Sequence, residues 1–171
     1  MAQTDNYLIL AKGTSIYNSK TDGIVVTSMP PLIATETKDV EVKEWPDEHG
    51  LDAYNAETLY MKAFDAEVGL ACKGNADTCR NAYLNLLKFC TKGRTSMMMC
   101  STFTKTGKDG VFYKSSSQPE IYNTLESDAN GRPIFIWEWK ATFNITKPES
   151  NVTATVVGSD VTALKVNDNE L

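Results

Sequence analysis

The chain has 171 residues, 42% of them hydrophobic, enough to bury one core, and it reads as one domain. A formal net charge of -5 leaves no basic face in the composition, which argues against a protein whose main work is gripping a phosphate backbone. Met1-Ala2-Gln3-Thr4-Asp5 shows no basic leader ahead of an apolar run, and the longest apolar stretches fall short of a membrane span. The expectation is a soluble chain made in the cytoplasm, with no membrane partner.

The elements follow in chain order. Tyr7-Leu8-Ile9-Leu10 and Gly23-Ile24-Val25-Val26-Thr27 are short apolar runs, the second entered through Asp22-Gly23 and closed by Met29-Pro30-Pro31, and together they predict an opening β-hairpin. Lys38-Asp39-Val40-Glu41-Val42-Lys43 alternates charged and apolar residues, as a strand with one wet face would. From Tyr60 the alternation resumes, with Phe64, Ala66, Val68, Leu70 and Cys72 on one face and Asp65, Glu67 and Lys73 on the other, and it ends at Gly74.

Asn75 then has the chemistry of an N-cap, and Asp77 adds negative charge to the first turn. Cys79, Ala82, Tyr83, Leu86, Leu87 and Cys90 recur at helical spacing, and Lys88, Lys92 and Gly93 close the element. Ser96–Phe103 predicts a strand, with Thr106–Gly110 turning the chain into Val111–Lys114. After Asn130-Gly131, Phe135, Trp137, Trp139, Ala141, Phe143 and Ile145 form one apolar face of the clearest strand, which implies an antiparallel sheet packed on one side. Beyond Pro148 one more strand is expected at Thr153–Val157, with the remainder frayed or docked on a neighbour.

The chemistry-bearing residues do not converge in sequence. Cys72, Cys79, Cys90 and Cys100 contain no C-x-x-C and no interleaved histidine, so they read as structural thiols, and Cys79 and Cys90 share a helix face three turns apart. His49, the single histidine, lies among Asp47, Glu48 and Asp52, whose spacing matches neither a calcium loop nor a zinc motif. Asp65 and Glu67 share the solvated face of a strand, which needs no acid–base role to explain it. Met97, Met98 and Met99 must divide between core and surface, and Trp137 and Trp139 read as core. Neither a catalytic role nor a cofactor is expected.

One pattern does resemble a family. Glu44-Trp45-Pro46-Asp47-Glu48-His49-Gly50-Leu51-Asp52 precedes a strand through Tyr60, Lys62 and Phe64. A helix ending near Leu87-Lys88-Phe89 and a hairpin around Lys105 to Val111 follow. This order, over residues 36 to 145, resembles small tail proteins of bacteriophages and prophages, particularly those of gut Bacteroides-type hosts. The parallel is with the distal tail protein and its ring-forming belt domain, within a superfamily that includes tail tube proteins.

The resemblance implies a mainly β fold with one helix, an antiparallel β-sandwich or partly closed barrel flanked by one α-helix. It assigns residues 1–147 to the tail-like domain, with its helix at 75–92, and residues 148–171 to a C-terminal extension. It further implies a structural protein of the virion tail, a self-assembled ring, usually of six copies, joined to other phage tail proteins. DNA would pass through its channel without specific binding. A closed ring needs heterologous contacts. The loop residues Trp45, Pro46, Asp47, Glu48, His49, Gly50, Leu51 and Asp52 are the expected interface, together with the N-terminal hairpin, and Asp65 and Glu67 the expected channel wall, whose negative charge would repel DNA. The alternative is a carbohydrate-binding or adhesin-like β-sandwich module that presents Trp45 or tyrosines to a glycan.

Overall fold

The longest strand, β10 (Pro133–Ile145), organises the chain, because its alternating faces separate a core from solvent. In the computed structural model, the described residues are 6–39, 42–43, 46, 52–53, 59–93, 95–102, 105–157 and 160–167. β10 pairs antiparallel with β6 (Phe64–Gly74) along the whole of the latter, from Phe135↔Gly74 to Ile145↔Phe64. On its other side the C-terminal half of β10 pairs with β8 (Gly107–Ser116) and the N-terminal half with β9 (Glu120–Ser127).

The sheet continues outward through β7 (Met97–Ser101), β1 (Leu8–Lys12) and β2 (Ser15–Asn18) on the β8 side, and through β3 (Ile24–Ser28) beyond β6. The result is an eight-stranded antiparallel sheet of order β2-β1-β7-β8-β10-β6-β3, with β9 beside β10. It coils without closing into a barrel. β3 approaches the segment that enters β1 through a backbone hydrogen bond, Val26 N–H to Asn6 C=O at 2.7 Å, while the 3-10 turn Ser19–Asp22 carries the chain from β2 to β3. Ser19 Oγ accepts from Leu8 N–H at 2.9 Å and fastens that turn to β1.

The inner, concave face collects Leu8, Leu10, Ile24, Val26, Ala66, Val68, Leu70, Met97, Met99, Val111, Trp139, Ala141, Phe143 and Ile145. Helix α1 (Ala76–Thr91) covers it, burying Cys79, Ala82, Leu86 and Cys90. The expected caps form: Asn75 Oδ1 accepts from Thr78 N–H at 2.9 Å, and Gly93 takes φ +78° just beyond the last turn. The stripe is narrower than expected, because Leu87 is only half-buried and lies outside the core cluster. Tyr83 leans over the sheet edge-on to Trp139, ring centroids 5.2 Å apart.

Helix α1 has a second anchor that its own sequence does not announce. Lys12, at the end of β1, donates its Nζ to the carbonyls of Phe89 (2.7 Å), Cys90 (3.0 Å) and Lys92 (2.8 Å). A cation on these orphan carbonyls stabilises the end by about 0.3–1 kcal/mol, rising to ~2 kcal/mol where partly buried.

The strand expected at Thr153–Val157 forms within a longer one, and a second strand, not foreseen, follows it. The two, β11 (Asn151–Val157) and β12 (Asp160–Asn167), are paired antiparallel. They lie on the outer face of their own sheet, where Val152 and Leu164 pack on Ile9, Ala11 and Cys100. Lys108, 1% exposed, holds the turn into β11 by donating to Pro148 C=O (2.9 Å) and Ser150 C=O (2.8 Å).

Other expectations need correcting. The opening hairpin is β1–β2, turned at Gly13 with φ +57°, while the Gly23–Thr27 run sits at the opposite edge on β6. β8 already begins at Gly107, so the hairpin turn lies before Thr106–Gly110, and Cys100 pairs with Gly107. β6 starts at Phe64 rather than Tyr60, because only an isolated Thr37↔Met61 bridge precedes it. Of the Lys38–Lys43 strand, Val40 and Glu41 lie outside the described residues. β4 (Val42–Lys43) pairs with β5 (Asp52–Ala53) in a separate two-stranded ladder.

The burial difference along α1 yields an expected outcome. Leu86→Ala costs about 2–5 kcal/mol, as truncation of a packed core leucine does, whereas Leu87→Ala costs clearly less. Urea unfolding of both variants checks it; equal losses would show that the two side chains are buried alike.

Candidate assembly surface

The residues singled out in the sequence separate into two places. Asp65 and Glu67 stand on the outer face of β6, as the alternation requires, but neither is a free negative charge. Asp65 accepts from Lys114 Nζ and, at 2.8 Å, from Asn144 Nδ2, and Glu67 pairs with Lys140 Nζ at 3.0 Å. Lys73 at the end of the same strand pairs with Glu126 at 2.8 Å. The outer face is therefore charge-balanced at these positions, and a wall built from it would not act on DNA through net negative charge.

In the expected interface loop, Trp45, Asp47, Glu48, His49, Gly50 and Leu51 lie outside the described residues. Pro46 is exposed, and the backbone of Asp52 pairs with that of Lys43. The ladder thus brings the two ends of the loop together.

A stronger surface comes from β9, which was not foreseen. Among the described residues β9 pairs only with β10, so its other edge presents backbone donors and acceptors without a strand partner there. Ile121, Tyr122 and Leu125 are 55%, 48% and 90% exposed. The register jumps from Ile134↔Glu126 to Phe135↔Asn123, so Thr124 and Leu125 form a bulge. Leu125 is held there at φ +60°, a conformation that costs a leucine about 1–2 kcal/mol. Thr124 Oγ1 donates to Ile134 C=O at 2.7 Å, and Asn123 Oδ1 accepts from Leu125 N–H at 2.9 Å, which lock the bulge. Leu125 thus adds exposed apolar surface, at a cost in backbone strain, to this edge.

The charge beside it is uneven. Glu120 and Glu138 lie directly opposite each other on β9 and β10, an arrangement that like charges disfavour. Tyr122 Oη donates to Glu120 Oε2 at 2.6 Å, which raises the tyrosine's pKa, and neither carboxylate has a cationic partner among the described residues. At the tip, the Arg132 and Asn130 backbone N–H groups each donate to Asp128 Oδ1 at 2.9 Å, and Arg132 N–H, the largest influence, lowers that carboxyl. A groove of ≈ 370 Å³ runs alongside, lined by Thr27, Ser28, Ser117, Gln118 and the two glutamates. At Gly69 on its floor a Cβ would run into Ser28 Oγ and Thr27 Oγ1.

The signal for β9 was present: Asn130-Gly131 marks a hairpin, and Ile121-Tyr122 upstream is a fit partner for the β10 run. The four thiols offer no competing chemistry. All are free and buried, and burial pushes Cys72 and Cys90 up to about 12, so they are protonated at neutral pH. No helix among the described residues is long and apolar enough to cross a membrane. No protein-family model matches the chain, and no curated protein matches it.

Two measurements follow from this geometry. The Lys114 ammonium, then the Asn144 amide, hold the Asp65 carboxyl below the usual carboxylate range. A depressed folded value stabilises the fold above the unfolded pKa of about 4, and that stabilisation is lost as pH falls through the folded value. Asp65→Asn should therefore be less stable than the parent at pH 7 and converge with it near pH 2, as read by denaturant unfolding; a gap that persists at pH 2 would place its origin outside this titration. The thiols should react with an aromatic disulfide reagent only at the rate of unfolding, and rapid modification of any of them in the native protein would show an open route to the core.

Proposed function

We propose that the chain is a structural tail protein of a bacteriophage or prophage, a distal tail adaptor or tail tube component, that assembles into a closed ring around a DNA channel. The observation that carries this reading is the free β9 edge with Leu125 strained and exposed on its bulge, since such an edge recruits another chain. The coiled antiparallel sheet under a single helix agrees with the architecture that the resemblance implies. The protonated, buried thiols fit a role without covalent chemistry. DNA would pass without specific binding, and the station of the protein would be the virion tail.

The polar groove beside Glu120 and Glu138 favours a second reading, a carbohydrate-binding module. It is the weaker one, because Trp139 is 3% exposed and packs against Tyr83 under α1, so its ring is no sugar platform.

The test is assembly. At high micromolar concentration, light scattering should give a mass of several chains and negative-stain images should show rings. A strict monomer across that range, with a glycan bound in the groove, would overturn the ring reading in favour of the module.

A further inference from the structure

The β9 edge has a counterpart on the same molecule. β2 is another edge strand of the sheet, and between it and the last turns of α1 lies a groove of ≈ 420 Å³ lined by Ile16, Tyr17, Asn18, Lys88, Phe89 and Lys92. Its floor is apolar, with Ile16 36% exposed. Its rim is basic. Lys88 and Lys92 are exposed, and their ammonium groups have no carboxylate partner among the described residues. Asp22, the acid that lines the groove, is already engaged by Tyr17 Oη at 2.8 Å and Asn85 Nδ2 at 3.2 Å.

We infer that the β9 edge of one copy seats in the β2–α1 groove of the next, and that this is the contact that propagates the ring. The inference rests on the ring reading and names its interface. Three features match. Each surface is a free edge, so main-chain pairing continues the sheet from copy to copy. Ile121, on the face of β9 opposite Glu120, supplies an apolar side chain to Ile16, which shares the outer face of β2 with Ala11, and Leu125 adds exposed apolar surface at the bulge. The unbalanced carboxylates Glu120 and Glu138 meet the unbalanced ammoniums of Lys88 and Lys92, and their mutual repulsion on the free monomer is relieved by the partner's cations.

The placement suits a ring. The β9–β10 hairpin lies at the start of α1, where Cys79 Sγ approaches Phe135 C=O at 3.9 Å, and the groove lies at its end, where Phe89 packs on Tyr17 at 5.4 Å between ring centroids. Cys79 and Phe89 are ten residues apart on α1, which sets the two sites about 15 Å apart along its axis. Two different patches at opposite ends of one rigid element make a head-to-tail contact, the kind that closes rings.

Charge exchange tests it. The double variants Lys88→Glu/Lys92→Glu and Glu120→Lys/Glu138→Lys alter exposed side chains, and circular dichroism melting checks that each is folded. Each alone should assemble at least about tenfold more weakly than the parent by light scattering, and an equimolar mixture should recover assembly, because each copy then offers the complement of the other at both ends. Leu125→Arg leaves the four rim charges in place but removes the apolar side chain and puts a cation on the edge that meets Lys88 and Lys92, and it should also block assembly; if a double variant proves unfolded, this variant decides. Assembly of these variants equal to the parent, or monomeric double variants that mixing fails to restore, overturns this contact while leaving the ring reading in place. A parent chain that remains monomeric overturns both.

Discussion

Burial of the inner face of β10 beneath α1 is the constraint from which the other contacts follow, because Trp139, Ala141, Phe143 and Ile145 form the floor on which the helix rests. The strand is long enough, at 13 residues, to exceed what either neighbour on its far side can cover. β8 pairs with it only from Ile145 to Ala141 and then leaves at Ser116, while β9 begins again at Glu138. Across the break Ser117 keeps the ladder satisfied, its N–H donating to Lys140 C=O at 2.9 Å and its Oγ accepting from Lys140 N–H at 3.0 Å. Pro119 supplies no N–H to the next pairing position. The sheet therefore forks, and β8 continues to β7 whereas β9 ends at solvent. The free edge is a product of strand length.

The helix that sits on this floor is capped locally at its start and held at its end by parts of the chain that are distant in sequence. Asn75 caps its start in the ordinary local way, but its last carbonyls depend on Lys12 from β1. Asp22 adds a third tie, accepting from Tyr17 of β2 and from Asn85 of α1, and burial together with that carboxylate raises the Tyr17 phenol. These bonds fix β1 and β2 relative to the last turns of α1. The groove between β2 and α1 is thus a preorganised cleft whose walls are joined beneath it, and preorganisation lowers the ordering cost of anything that binds there.

What could be read from the sequence was whatever obeyed a single period. α1 announced itself through Asn75, its apolar stripe and Gly93, and β6 and β10 through strict alternation, which also put Asp65 and Glu67 on the wet face. β9 escaped because the bulge at Thr124-Leu125 breaks the two-residue period, so Ile121, Tyr122 and Leu125 fall on no common face. The order β2-β1 at one edge and β3 at the other was hidden for a different reason: local turn signals at Gly13 and Gly23 are equally good, and only long-range pairing decides which run meets which. The pairing of Asp65 with Lys114 and of Glu67 with Lys140 also depends on register, so the acidic face visible in sequence becomes a balanced one in the fold.

The three edges of the sheet are managed differently. β3 is shielded at the coil's seam, where Val26 N–H is spent on Asn6 and Leu32 is buried against the core. β2 is short, four residues, and rimmed with lysine, both familiar defences of an edge that must not pair at random. β9 is eight residues long, apolar at three exposed positions and bulged, guarded by the two opposed carboxylates Glu120 and Glu138 and by the Glu126–Lys73 pair. A protein selected to remain monomeric would relieve Leu125 first, since any residue tolerant of φ +60° would remove both the strain and the exposed apolar surface. Acid on the long edge and base on the short one block like from meeting like, so neither β9 with β9 nor β2 with β2 is favoured. The arrangement that remains open is β9 with β2, and in the proposed ring that asymmetry would give the edge a direction.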